Sequence, residues 1–262
     1  MDLGLGDKVV LITGGSKGIG LYSARSFAKE GCRIGICGRN EGDLNRAANE
    51  LRSSARNVAA VKADVCNPEE ARTFLQTCEK ELGGVDILIN NVGDGFGGGL
   101  AQSTDEDWKK TFETNVFQTV RMTQMAAPYL RKRGGGSIVN ISSISGWEPQ
   151  LAGTGQYGSS KAALIFLTET LALELVHDNI RVNTVSPGSI IWQGGGWDNY
   201  RLKNPGLFDA YVKNGFPMGR LGKPEEVADV IVFVASPRAN WINGRNIPVD
   251  GLEQPVPVER PW

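Results

Sequence analysis

Short apolar runs alternate along the chain with longer stretches whose apolar residues recur at helical spacing. The changes of period fall on glycine, proline or polar clusters. Lys8 to Thr13 reads as a first strand, stopping at Gly14-Gly15-Ser16-Lys17-Gly18-Ile19-Gly20. A helix follows from about Ile19 to Lys29 and is closed by Gly31. Arg33 to Cys37 predicts a second strand and Glu41 to Ser53 a polar helix. Val58 to Val65 predicts a third strand, and Pro68 to Leu82 a helix with proline in its first turn. Val85 to Asn90 is strand four, followed by the flexible loop Gly93 to Gly99. A long helical segment from about Asp105 to Arg133 comes next, bent at Pro128. Ser137 to Ile141 is strand five, the apolar run after Tyr157 a helix, and Arg181 to Val185 strand six. After an irregular stretch, Pro224 to Ala235 reads as a helix and Asn246 to Val249 as a last strand. Strands separated by helices imply right-handed βαβ units. The expected fold is α/β, one doubly wound parallel sheet of about seven strands with helices on both faces, in a single domain spanning 1–262.

Composition narrows the function. A chain of 262 residues carries 28 Lys plus Arg against 29 Asp plus Glu, so no basic surface for nucleic acid is expected. Cys32, Cys37, Cys66 and Cys78 form no paired spacing and read as reduced thiols, with no metal site expected. One histidine, His177, excludes a Ser-His-Asp hydrolase and sits where a cation complements a helix C-terminus. The N-terminus shows no charged-then-apolar signal, and no apolar run reaches about 18 residues. A cytoplasmic protein with no membrane partner is the expectation.

Chemistry enters at the glycine stretch. Gly14-x-x-x-Gly18-x-Gly20 lies between a strand and a helix, where glycines let backbone approach a pyrophosphate and helix amides supply donors. That setting outweighs a glycine-rich turn without a ligand, and makes the sheet a Rossmann-type one. An acid after strand two would bind the ribose hydroxyls of NAD. Here the strand ends Cys37-Gly38-Arg39-Asn40, with no acid until Glu41. Arg39, with Lys17 in the glycine loop, suits a 2′-phosphate, so NADP is favoured over NAD.

Tyr157 and Lys161 stand four positions apart, on one face of a helix. A fixed ammonium near a phenol stabilises the phenolate and fits it for proton transfer at neutral pH. An isolated pair of this kind is as readily a surface couple; the flanking motifs decide against that.

Those motifs are Thr13 to Gly20, Asp64-Val65, Asn90-Asn91-Val92-Gly93, Asn115, Ile141-Ser142-Ser143, Tyr157-x-x-x-Lys161 and Pro187-Gly188. Across nearly its full length the chain resembles the short-chain dehydrogenase/reductase family, and within it the 3-oxoacyl-carrier-protein reductases and similar ketone reductases. The resemblance implies Tyr157 as general acid/base and Lys161 lowering its pKa while holding the nicotinamide ribose. It implies Ser143 bonding the substrate oxygen, and Asn115 positioning the lysine and a water. Ser142 and Ser145 compete for the serine role. Ser143, following strand five, fits best. Cofactor contacts are implied for Gly14, Ser16, Lys17, Gly18, Ile19, Gly20, Arg39, Asp64, Val65, Asn91, Gly93, Tyr157, Lys161, Pro187, Gly188 and Ile190. An alternative for Asp64 is capping of the following helix. Two departures stand out: no threonine follows Pro187-Gly188 before Trp192, and Val249-Asp250-Gly251-Leu252 lacks a second glycine. Most relatives are tetramers, so a homotetramer or homodimer is expected, pairing along the Tyr157 helix and the last strand.

Substrate must be read from the variable parts. The segment of about 189–218 is glycine-punctured and aromatic, and is expected to form a lid. Phe96, Ser145, Trp147, Trp192 and Trp197 are the candidates to face substrate. An apolar or aromatic ketone or secondary alcohol fits them, the alternative being aromatics that pack the lid onto the body or onto a neighbour. A short tail, 253–262, ends the chain. Arg131-Lys132-Arg133 is either a docking patch for an acidic carrier protein or a cationic helix end. A non-catalytic cofactor-binding sensor or scaffold, and a non-redox lyase or epimerase, are the remaining alternatives.

Overall fold

The protein is described by a computed structural model covering residues 1–149 and 154–254. Seven strands form one parallel sheet in the order β3-β2-β1-β4-β5-β6-β7. They are β1 (Val9–Ile12), β2 (Arg33–Gly38), β3 (Val58–Lys62), β4 (Ile87–Asn90), β5 (Gly136–Ile141), β6 (Ile180–Pro187) and β7 (Asn246–Val249). Between them run α1 (Gly18–Lys29), α2 (Glu41–Leu51), α3 (Pro68–Leu82), α4 (Asp105–Phe112), α5 (Gln118–Lys132), α6 (Gly155–Leu175), α7 (Gly196–Lys203), α8 (Pro205–Gly215) and α9 (Pro224–Ala235). The order reverses between β1 and β4, and a crevice opens at such a switch point, beyond the carboxyl ends of the strands.

The apolar pattern explains the layers. Val10 and Ile12 face one side, with Phe27 of α1 and Val227 and Ile231 of α9. Val9 and Leu11 face the other, with Phe74 and Leu75 of α3 and Met122 of α5. Both faces of β1 are therefore dry, as its unbroken apolar run requires. Beneath the crevice a buried polar chain crosses the sheet. Asn90 Nδ2 donates to Asn140 Oδ1 (2.9 Å), Asn140 Nδ2 to Thr168 Oγ1 (2.9 Å), and Thr184 Oγ1 to Thr168 Oγ1 (2.7 Å). It fixes β4, β5, β6 and α6 in one register.

Two expectations need correcting. The stretch before Pro224 is not irregular, because it contains α7 and α8. Pro205 starts α8, and the glycines at 194–196 interrupted the helical period in the sequence. The long helical segment is not uniform either. A π-helical turn, Glu113–Phe117, separates α4 from α5, and Asn115 lies at its centre. Pro128 lies within α5. Among the described residues, no helix is long and apolar enough to cross a membrane.

Candidate active site

The glycine loop forms a cradle at the end of β1. Gly14 and Gly18 have φ of 65° and 51°, a conformation that side chains disfavour. A Cβ on Gly20 would run into Gly14 O and come within 2.6 Å of Asn91 Nδ2. Asn91 Nδ2 in turn donates to Thr13 O and Gly14 O, locking the loop against β4. No side chain caps α1, so the amides of its first turn face the cradle.

Two cavities of about 500 and 340 Å³ share Lys17, Asn91 and Gly93 and lie along the carboxyl edge of the sheet. The larger is lined by Gly14, Ser16, Gly38, Arg39, Asp64 and Val65. The other is lined by Gly18, Ile19, Ser143, Tyr157, Lys161, Pro187, Gly188, Ile190, Trp192 and Trp197. The shared walls, the glycine cradle and the free helix N-terminus fit a dinucleotide laid from Arg39 to Tyr157. Gly20 alone of the glycine-loop residues expected at the cofactor lines neither cavity; it is buried beneath Gly14. Asp64 does not cap the next helix. Asn67 does, accepting from the amides of Glu69 and Glu70.

Charge at the wide end differs from the sequence picture. Lys17 Nζ forms an ion pair with Asp43, which also pairs with Arg46. Asp43 is buried in the first turn of α2, two residues beyond Glu41. Arg39 lies 4.0 Å from Asp64, with its side chain 75% exposed.

At the narrow end, α6 brings Tyr157 and Lys161 together. Lys161 is buried, its Nζ donating to Ile141 O at 2.9 Å and lying 5.5 Å from the Tyr157 ring centroid. Burial pushes the ammonium down to about 7, with the charge of Asp94 acting the other way. Asn115 Nδ2 donates to Asp94 O (2.6 Å) and Thr111 O (2.8 Å). Its Oδ1 is left buried without a hydrogen-bond partner among the described residues. That oxygen and Lys161 Nζ each lie 2.7 Å from where a Cβ on Gly93 would be, so only glycine fits there.

The three serines differ in their partners, although Ser142 and Ser143 line the same cavity. Ser142 Oγ is buried and donates to Lys161 O, which commits it to bracing α6. Ser143 Oγ accepts from Ser145 N and borders the cavity beside Tyr157. A third cavity of about 170 Å³ continues past them, lined by Ser143, Ile144, Ser145, Tyr157, Gly188, Ser189, Trp197 and Glu253.

The other substrate candidates divide. Trp192 and Trp197 reach the crevice, Trp192 packing over Gly18. Phe96 lines the wide cavity instead, with Lys110 Nζ 4.2 Å from its ring centroid. Trp147 is exposed and lines none of the three cavities. Most rings of 189–218 face one another. Trp197 stacks on Tyr211 at 4.7 Å, and Tyr211 meets Phe216 edge-on at 5.1 Å. Sequence reasoning missed Glu253, a buried carboxylate that reaches Ser189 from 64 residues away. Its only local signal is Leu252, where the second glycine is missing. That leucine is held at φ 59°. The rest of the tail, 255–262, lies outside the described residues.

A parallel sheet with a nucleotide-sized crevice at its switch point and a Ser-Tyr-Lys cluster at one end defines an oxidoreductase-like architecture. Residues 8–192 match the short chain dehydrogenase family. Dehydrogenase/reductase SDR family member 4 of Bos taurus is 36% identical over 248 residues, 94% of this chain and 87% of the relative. L-sorbose reductase from Gluconobacter frateurii, solved with NADPH and L-sorbose, superposes with a TM-score of 0.90 at 35% identity, covering 98% of this chain and 100% of that one. A 7 alpha-hydroxysteroid dehydrogenase, solved with NADH and 7-oxo glycochenodeoxycholic acid, gives 0.89 at 30% identity, with 97% of each chain covered. The chain belongs to the short chain dehydrogenase family of oxidoreductases.

Proposed function

We propose that the protein is an NADP(H)-dependent oxidoreductase interconverting a ketone and a secondary alcohol, with Tyr157 as general acid/base. The observation that carries this is the convergence of Ser143, Tyr157 and Lys161 on one cavity wall, at the end of a crevice shaped for a dinucleotide. The bound nicotinamide would supply or accept the hydride. Gly14, Ser16, Gly18 and Ile19 would hold its pyrophosphate side, Asp64 and Val65 the adenine side, and Pro187, Gly188 and Ile190 the nicotinamide side. Tyr157 transfers a proton to the carbonyl oxygen in reduction and takes one back in oxidation. Ser143 donates to that oxygen as negative charge builds on it. Lys161, buried and close to the phenol, steadies its ionised form. Asn115 Oδ1, facing the same point as the ammonium, can accept from a water that relays the proton outward.

NADP rather than NAD is supported by exposed Arg39 following Gly38, although Lys17 is already engaged by Asp43. The two solved neighbours, one with NADPH and L-sorbose and one with NADH and a 7-oxo steroid, differ in both cofactor and substrate polarity. Likeness of fold therefore chooses neither. Arg131, Lys132 and Arg133 lie in ion pairs with Asp178, Glu79 and Asp86, which gives a carrier-protein docking patch little support. Exposed Phe166 and Leu173 on α6 support association through that helix.

Turnover of a ketone and alcohol panel with each nicotinamide cofactor tests the reading. NADPH-dependent reduction is expected. Tyr157→Phe should lower kcat by roughly 10²–10⁴ while cofactor still binds. Full activity in that variant, or nucleotide binding with no turnover of any carbonyl compound, refutes it.

A further inference from the structure

We propose that Glu253 makes the 170 Å³ cavity beside Tyr157 selective for small carbonyl compounds bearing a hydroxyl next to the reacting carbon. This rests on the oxidoreductase reading above and names its substrate class.

Glu253 is 3% exposed yet borders the cavity that holds Ser143 and Tyr157. Oε2 accepts from Ser189 N at 2.5 Å. Oε1 accepts from Ser189 Oγ at 2.7 Å and from the Tyr211 hydroxyl at 2.9 Å. A carboxylate offers about four acceptor positions, so three neutral donors leave room for one more, on Oε2. Among the described residues, no lysine, arginine or histidine lies within ion-pairing distance of it. A buried anion held only by neutral donors gains from each further donor it receives.

The rest of the wall points the same way. Ser143, Ser145 and Ser189 present hydroxyls, Trp197 a flat ring, and among the described residues Ile144 is the one aliphatic side chain of the lining. Ser143 Oγ and the Tyr157 hydroxyl suit a carbonyl oxygen, and Glu253 suits a donor substituent beside it. A hydroxyl can give to Glu253 and also accept from the Ser143 or Ser145 hydroxyl, whereas an ammonium only gives. The volume admits about half a dozen non-hydrogen atoms, close to that of a cavity that holds benzene. Trp197 stacks on Tyr211, which donates to Glu253, so ring and carboxylate are held as one unit.

The test compares acetoin, butanone and aminoacetone as substrates of the NADPH-loaded enzyme. The wild type should show kcat/KM for acetoin roughly 10-fold or more above that for butanone, and above that for aminoacetone. In Glu253→Gln that acetoin-to-butanone ratio should fall to near one. Tyr211→Phe, which keeps the carboxylate, should retain most of it. Preference for butanone or aminoacetone in the wild type overturns the proposal, even if Glu253→Gln does not fold. An unchanged ratio in a folded Glu253→Gln, with both substrates weakened alike, overturns it in favour of a purely structural latch. Turnover without discrimination defeats this inference alone, whereas no turnover of any carbonyl compound defeats the oxidoreductase reading first.

Discussion

Lys161 gives the sharpest physical test. Its side chain is buried, and desolvation holds its pKa near 7 against an ordinary 10.5. In the unfolded chain it titrates at about 10.4. The folded state therefore binds fewer protons than the unfolded state between these values, and stability rises with pH across that window. Below about pH 7 the full cost of a buried ammonium is present, and above about pH 10.5 it is gone. Between about pH 6 and about pH 8.5, the cofactor-free protein should gain roughly 2 kcal/mol from this group alone. Buried thiols work oppositely. Cys66 is pushed up to about 11, and Cys32 and Cys37 to about 12, so they withdraw stability as pH climbs past about 9. Measuring below that point, and as a difference from Lys161→Met, removes their contribution. Urea unfolding followed by tryptophan fluorescence should give converging curves for the two proteins as pH rises. The variant should be the less pH-dependent by about 2 kcal/mol over this interval. Parallel curves would show that this amine is not desolvated in the folded protein, and the account of Lys161 would fail.

The remaining predictions concern its neighbours. Gly93→Ala drives a methyl between Asn115 and Lys161, so it should destabilise by about 1–3 kcal/mol and remove most turnover. Gly155→Ala, where a Cβ meets nothing within 4 Å, should do neither; thermal melts and initial rates decide both. Ser143→Ala should lower kcat roughly 10²–10³-fold, with about 1 kcal/mol of stability lost along with the bond from Ser145 N. Ser142→Ala, losing the bond to Lys161 O, should cost about 1 kcal/mol of stability and far less rate. Arg39→Ala should reduce kcat/KM with NADPH about 10-fold and leave NADH turnover nearly untouched; equal losses with both cofactors would remove Arg39 from discrimination.

The sheet was legible because its strands are short apolar runs followed within a few residues by polar or turn residues, and several helices carry local start signals. Asn67 before Pro68 and the Thr104–Asp107 capping box are local chemistry written in sequence. Tyr157, Lys161 and the glycine loop were legible because their spacing is itself the geometry. What escaped depends on contacts between distant segments. Asp43 reads as an ordinary acid in the first turn of α2 until folding sets it against Lys17. Trp197, Tyr200, Tyr211 and Phe216 are equally good as cavity wall or as core, and packing gave the first to both and the others mainly to the core. Glu253 follows β7 after a turn whose one local irregularity is Leu252 in place of a second glycine, a signal that does not point to the cavity by itself.

The π turn at Glu113–Phe117 has a consequence for how this helical segment can vary. It holds one residue more than regular pitch allows, so α4 and α5 are about 100° out of phase with a continuous helix. Asn115 sits at the slip, with its amide aimed at the loop after β4. Shortening the segment by one residue would restore an unbroken ladder while swinging that amide away from Gly93. A deletion that mends the helix would thus disconnect it from the crevice, and one counted residue couples the length of the scaffold to the chemistry it carries.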